Sequence, residues 1–499
     1  MKRFLGGCFA AVVFFGGLLA GGCASSNPIE PPPSAATAPR RCEGGTLGIE
    51  AGPITRQLRK RLQIPEDVRG AAVVQALPDG PGAAAGIRPD DVVEEIGGTR
   101  IGNYCDFESS AYNRSCDPVR VVLWRAGATV EVNLVPFEQE AFFRDLCRGG
   151  VAAGCFRQAR TLWHRNRDDD RERALGIFQN ACVAGSAEGC AEEGLHLLKD
   201  RADRTQETVV ALQRSCDLGS GAGCTHLAFL YATGSNTLVK KDDRRATSLY
   251  VKGCDLGDPL GCYNAGLMSE EGRGTSRDAS RALARYEDAC EMGSSAGCTN
   301  LGFLYERGRG VEKDPARAIA LYQRGCDGTS CQRSNLNGCV NVGRAYRDGI
   351  GVEKNAARAA SVFQEACNRK PDPEDINPEA NRSRACSLLG ALYLAGDGVA
   401  TDLAKGRELS ELGCEGGDSF GCFNASAVYS QGSGVEKDPA RSAFFLDKAC
   451  QADDGEACHY LAAAYETGTG VPRDRRRAAD LSRKACDLGY EPACPKKPR

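Results

Sequence analysis

Eight pairs of cysteines in this chain have seven residues between them: Cys147/Cys155, Cys182/Cys190, Cys216/Cys224, Cys254/Cys262, Cys290/Cys298, Cys414/Cys422, Cys450/Cys458 and Cys486/Cys494. Their first members, with Cys326 and Cys367 interleaved, mostly recur every 34 to 38 residues. A fixed period of that size means an array of small units stacked on one another, not one globular core. Two longer steps hold insertions, near Cys331 and near Pro371 to Glu379. At 499 residues the chain is also too long for a single ordinary core.

Each unit reads as a helical hairpin. After Cys298, Leu301, Leu304 and Tyr305 share one face of a first helix, and Ala318, Leu321 and Tyr322 share one face of a second. Gly308 and Gly310 end the first helix, while Asp314-Pro315 opens the second as N-cap and first-turn proline. The same grammar recurs in Gly432-Ser433-Gly434-Val435-Glu436-Lys437-Asp438-Pro439. Gly302, Gly266 and Gly343 are expected to let helices approach closely. One hairpin cannot bury its apolar face alone, so about nine units should stack into an α/α superhelix over residues 137–499. The pattern resembles the Sel-like repeats, relatives of the tetratricopeptide family. The units Cys155 to Cys182 and Cys190 to Cys216 lack the Gly-x-Gly loop and fit less well.

In this arrangement the first cysteine of each pair ends the second helix of one unit, and the second cysteine begins the first helix of the next. A seven-residue loop can bring them within the roughly 4.4 to 6.8 Å that a disulfide needs between Cα atoms. Cys326 with Cys339 and Cys367 with Cys386 fill the same roles around the insertions, giving ten bridges. Zinc is disfavoured, because its paired cysteines usually stand two to four residues apart; no metal and no cofactor are expected. So much disulfide points to an oxidising compartment. The spacing is similar to that of the Helicobacter-type cysteine-rich Sel-like repeat proteins. That resemblance implies an alternative function, a penicillin-binding protein with weak β-lactamase-like hydrolysis. Against it, the chain holds no Ser-x-x-Lys and no Lys-Thr-Gly-like partner. His164, His196, His226 and His459 form no His-Glu-x-x-His motif. Catalytic residues are therefore assigned to none.

Residues 43–136 form a different domain, small and mostly β. Alternating apolar runs mark strands at Thr46 to Glu50, Ala71 to Ala76, Val92 to Ile96, Val119 to Trp124 and Val130 to Val135. The segment Leu77-Pro78-Asp79-Gly80-Pro81-Gly82-Ala83-Ala84-Ala85-Gly86-Ile87-Arg88-Pro89-Asp90-Asp91-Val92-Val93 is similar to the core signature of HtrA-type PDZ domains. In that family, Thr46-Leu47-Gly48-Ile49 would be the carboxylate-binding loop. The resemblance implies β-augmentation, a peptide adding a strand beside the loop. By position, Tyr104 to Ser115 would be the opposing wall, with Phe107 and Tyr112 as pocket residues. A packing module with a closed groove is the other reading of the same residues. About twenty residues separate Cys23 from the first strand, so no protease domain is expected ahead of it.

At the N-terminus, Lys2 and Arg3 precede an apolar stretch from Phe4 to Ala20, the pattern of an export signal over residues 1–22. Leu19-Ala20-Gly21-Gly22-Cys23-Ala24 resembles a lipobox, although Leu stands one place further from the cysteine than usual. The resemblance implies lipidation of Cys23 and a membrane-anchored envelope lipoprotein, on the periplasmic face of the outer membrane. Residues 23–42, rich in Ser, Pro and Ala, read as a tether. Lys plus Arg number 63 against 66 Asp plus Glu, with no dense basic run, which argues against nucleic acid as a partner.

Two groups remain. Asn264, Asn300, Asn341 and Asn424 recur two residues after the second cysteine and are candidates to grip a peptide on the concave face, or equally to cap and bond within the array. Cys42, Cys105, Cys116 and Cys331 are left over. If Cys105 to Cys116 is helical, about 16 Å separates them, too far to bridge, and Cys42 with Cys116 is the alternative. The expected role is a scaffold binding proteins or peptides through the PDZ groove and along the superhelix.

Overall fold

The computed structural model describes residues 45–112, 115–165, 167–200, 205–234, 239–328, 335–370 and 377–494. The expected signal and tether, with Cys23, lie outside them, as do Cys42, Cys331 and the side chain of Cys105. Residues 42–499 form one compact unit.

The first part runs β1 (Gly45–Thr46), β2 (Ile49–Pro53), α1 (Arg56–Leu62), β3 (Ala71–Ala76), α2 (Pro81–Ala84), β4 (Val92–Ile96), β5 (Thr99–Arg100), α3 (Tyr104–Ala111), β6 (Val119–Arg125), β7 (Ala128–Leu134) and β8 (Phe137–Glu138). The sheet is antiparallel in the order β2-β3-β4-β6-β7, with β5 beside β4 and β1 paired to β8. Leu47, Ile49, Val93, Ile96, Phe107, Val121 and Leu123 fill its core. The single strand expected over Thr46 to Glu50 is two, because Gly48 at φ +62° turns the chain between them. Helix α1 was not legible as a helix; Thr55 caps it, its Oγ1 accepting from the Leu58 N–H at 3.1 Å. Helix α3 ends at Ala111, so Cys105 to Cys116 is not one helix and the 16 Å separation does not hold. Cys116 is disulfide-bonded.

Helix α4 (Gln139–Arg148) leads into nine hairpins among the described residues: α5 (Ala152–His164) with α6 (Asp168–Val183), α7 (Ala187–Asp200) with α8 (Thr205–Asp217), α9 (Gly221–Thr233) with α10 (Asp243–Asp255), α11 (Pro259–Glu271) with α12 (Ala279–Glu291), α13 (Ser295–Arg307) with α14 (Pro315–Asp327), α15 (Leu336–Asp348) with α16 (Ala356–Asn368), α17 (Pro378–Ala395) with α18 (Leu403–Glu415), α19 (Ser419–Gln431) with α20 (Pro439–Gln451), and α21 (Gly455–Thr467) with α22 (Arg475–Asp487). Neighbouring hairpins share continuous clusters of buried Tyr, Leu, Ala and Cys.

All ten expected cysteine pairs are bonded, with Cα atoms 4.3 to 4.9 Å apart: Cys147–Cys155, Cys182–Cys190, Cys216–Cys224, Cys254–Cys262, Cys290–Cys298, Cys326–Cys339, Cys367–Cys386, Cys414–Cys422, Cys450–Cys458 and Cys486–Cys494. Two details of the expected joint need correction. The seven residues between paired cysteines are not all loop. Cys224, Cys262, Cys298, Cys422 and Cys458 each stand fourth in their helix, while their partners stand next to last in theirs, so only three residues lie outside helices. Helices that approach this closely bury the second cysteine, and Cys224, Cys262 and Cys458 are fully buried with Cys422 2% exposed. Cys494 departs further, since it begins no helix. It follows a single 3-10 turn at Glu491–Ala493 and is extended, at φ −77° and ψ 143°, because Pro495 next to it disfavours the helical conformation.

Such close joints explain the glycine before the second cysteine: a Cβ on Gly297 would lie 2.7 Å from Ala289 Cβ. Ser294 caps the incoming helix, its Oγ accepting from the Gly297 N–H at 3.1 Å. At the hairpin's other end, Asp314 Oδ1 accepts from the Arg317 N–H at 2.9 Å, and the Arg317 guanidinium lies 4.4 Å over the Tyr305 ring. Gly302 presses on the Tyr322 ring, where a Cβ would come within 2.9 Å.

Candidate peptide-binding groove

Strand β2 is an edge of the sheet. The Leu77 N–H donates to the Gly48 carbonyl at 2.8 Å, and since alternate residues of an antiparallel strand bond to the neighbour, the Ile49 carbonyl turns away from β3. This is the backbone geometry that strand addition uses. Thr46, Leu47, Gly48 and Ile49 lie at the head of this edge, and α3, carrying Phe107, packs opposite, with Tyr112 just beyond its end. The structure thus brings the six candidate residues together.

They do not form an open pocket. Leu47 and Phe107 are fully buried and Ile49 is 1% exposed, all within the domain core. The Leu47 N–H donates to the Ala111 carbonyl at 3.3 Å and the Gly48 N–H to Thr46 Oγ1 at 3.2 Å. The Tyr112 hydroxyl donates to the outward Ile49 carbonyl at 2.9 Å. Loop donors and strand acceptor that a peptide would need are therefore occupied from within.

A residue from the first hairpin completes the closure. Arg157 on α5 donates from Nε to Glu50 Oε1 on β2 at 3.3 Å and from Nη2 to Glu108 Oε1 on α3 at 3.3 Å. Its guanidinium lies 4.7 Å over the Tyr112 ring. Arg160 reaches Glu108 Oε2 at 3.2 Å, and Gln75 holds the other oxygen of Glu50 at 2.6 Å. The Arg157 side chain is only 9% exposed. Burial alone would raise the Glu108 carboxyl, but Arg157 and Arg160 hold it below the usual carboxylate range. Burial opposes the charge on Arg157, yet Tyr112, Glu108 and Glu50 stabilise it further. Burial also pushes the Tyr112 phenol up, so it remains a donor.

Sequence reasoning missed Arg157, Glu50 and Glu108. One signal was available: Arg157 follows Cys155 by two residues, the slot in which Asn264, Asn300, Asn341 and Asn424 stand in later hairpins. Those four asparagines share no common role. Asn264 Nδ2 donates to Leu260 O at 2.9 Å, Asn300 lies beside the Tyr286 hydroxyl, and Asn341 Oδ1 accepts from Arg344 at 3.2 Å. Asn424 Nδ2 is buried without a partner among the described residues.

Helix α1 makes a second contact with the hairpins. Arg56 pairs with Glu287 at 3.1 Å and Asp288 at 3.2 Å on α12, and Pro53 sits against Gly257. Among the described residues no group of three or more His, Cys, Asp or Glu is placed to hold a metal ion, and no helix is long and apolar enough to cross a membrane.

A family model described as Sel1 repeat matches residues 221–258, 259–294, 295–330, 337–370, 383–418, 419–454 and 455–490, half of the chain. Helices α5 to α8, where the Gly-x-Gly loop is missing, lie outside those blocks. A probable periplasmic serine endoprotease, DegP-like, of Rhizobium meliloti (strain 1021) is 34% identical over 91 residues, 18% of this chain and 18% of that protein. The chain thus spans under a fifth of the curated relatives it matches first. Among solved structures, a protective antigen of uropathogenic Escherichia coli displaying an SLR fold is 24% identical, with a TM-score of 0.49 over 64% of this chain and 65% of that one. Helicobacter pylori cysteine rich protein B is 32% identical, with a TM-score of 0.22 over 26% of this chain and 91% of that one.

Proposed function

The chain belongs to the Sel1 repeat family, with an HtrA-type PDZ-like region ahead of its repeats, and from that premise we propose that it is an exported scaffold that receives an extended or carboxyl-terminal peptide along β2 and a second protein along the hairpins. The observation that carries this reading is the pairing of edge strand β2, its Ile49 carbonyl turned outward, with a glycine loop at its head and α3 opposite. Backbone pairing supplies affinity in this mode, and pockets for alternate side chains supply selectivity. Ten disulfides need an oxidising compartment to form and persist, which supports export. Lipidation of Cys23 would then hold the scaffold at a membrane.

Peptide display against the oxidised full-length protein tests the groove. Carboxyl-terminal ligands should enrich, and binding should fall at least tenfold in Gly48→Ala, whose Cβ would meet Pro81 Cδ at 2.9 Å. No enrichment on any form of the protein would remove the groove from the account.

A further inference from the structure

We propose that the first hairpin holds this groove shut through Arg157, and that the ligand able to open it is an extended peptide carrying an arginine or lysine. The inference rests on reading β2 and α3 as the groove walls.

Both walls carry an acid, Glu50 on β2 and Glu108 on α3, and Arg157 bonds both at 3.3 Å. It is a cross-link between the walls, supplied from outside the domain. Take it away and Glu50 keeps only the Gln75 amide while Glu108 keeps Arg160, so the two walls lose the one charge that ties them together. The base of the latch is stiff, because the Cys147–Cys155 disulfide joins α4 to α5 two residues before Arg157. Tyr112 adds a smaller catch, its hydroxyl standing where a peptide N–H would donate to Ile49.

The same chemistry specifies the ligand. A peptide that displaced Arg157 without replacing its charge would leave part-buried Glu50 with only the neutral Gln75 amide and Glu108 with only Arg160, at a desolvation penalty. A basic side chain on the entering strand takes over both carboxylates. Acidic and neutral peptides are excluded by the same penalty, so closure also acts as a filter.

The test compares full-length wild type, Arg157→Ala and Arg157→Ala/Glu108→Gln, each checked for ten intact disulfides. Hydrogen exchange over residues 46–53, without ligand, reads closure alone; it should rise at least tenfold in Arg157→Ala. Unchanged exchange overturns the latch. Random carboxyl-terminal peptides displayed against Arg157→Ala should return basic sequences, binding at least tenfold more tightly than to wild type, with the basic preference weakened several-fold in the double variant, which keeps only Glu50. Ligands lacking that preference overturn the assigned chemistry. Faster exchange with no peptide recovered upholds closure by Arg157 and overturns the groove reading and the ligand. If Arg157→Ala does not fold, Tyr112→Phe, which deletes one hydroxyl, should raise exchange and peptide affinity several-fold, and no change in either overturns the closed-groove account.

Discussion

Arg157, Glu50 and Glu108 show how a buried charge cluster is tolerated: each acid keeps a cationic partner, and the guanidinium bonds both acids and stacks on a ring. Folding favours the ionisation of Glu108. Its folded pKa is depressed, so its contribution is present above the ordinary carboxylate range and disappears as pH falls through the depressed folded value. Glu108→Gln should therefore cost about 2 kcal/mol at pH 7, a loss between a neutral and a charged hydrogen bond. The gap between variant and wild type should close in acid. Thermal midpoints measured down the pH scale check this, and a gap constant with pH would assign Glu108 a packing role only.

The repeating element is a joint in which a disulfide, a capping side chain and a glycine depend on one another. Cys290 and Cys298 can stand 4.5 Å apart only because Gly297 presents no Cβ to Ala289. The Gly-x-Gly loop serves the other end of the hairpin. Gly308 ends α13 at φ +66°, and Gly310 lies on the first turn of the preceding hairpin's α12, where a Cβ would come 2.6 Å from the Ala279 carbonyl carbon. The loop motif is thus a stacking contact as well as a helix stop. Eight of the ten joints close a loop of about nine residues, worth about 2.6 kcal/mol each by the chain-entropy argument. In an array whose units touch only their neighbours the loss stays local. Cys290→Ser/Cys298→Ser should accelerate amide exchange in α12 and α13 by on the order of a hundredfold, leaving α19 to α22 unchanged. Uniform acceleration along the array would show that the hairpins unfold as one.

In the whole molecule the PDZ-like domain is held at two places, by α4 and α5 next to it in sequence and by α12 further along. The Arg56 pairs to Glu287 and Asp288 are half exposed on the arginine side and individually weak. The α4 contact is apolar, with Leu77, Phe143 and Leu146 buried together. On the proposed latch, the groove's state is set by a domain contact, and a partner that strained the first hairpin would alter it. Anchoring belongs to this scale too. Expressed with its own leader, the wild-type chain should sediment with membranes and carry a lipid mass on Cys23. Cys23→Ala should move to the soluble exported fraction with the ten disulfides of the hairpins formed. A wild-type chain released without lipid would leave export and remove the anchor.

Where a residue's role depends on neighbours within one period, it could be read from order alone. Spacing of the cysteines predicts the ten bridges, and Asp314-Pro315 with Gly308 marks where helices begin and end, because caps, turns and short loops are local physics. The edge strand and its glycine loop were also legible, through alternation and a family signature. What stayed hidden was long-range. Helix α1 is short and largely basic, and its Leu62 finds its apolar partners, Ile64, Val68, Val92 and Trp124, only once the sheet has formed. The bonds that close the candidate groove come from Arg157, 107 residues from Glu50 and 49 from Glu108. Nothing in the spacing of those residues marks them as partners, since folding of two separate elements brings them together.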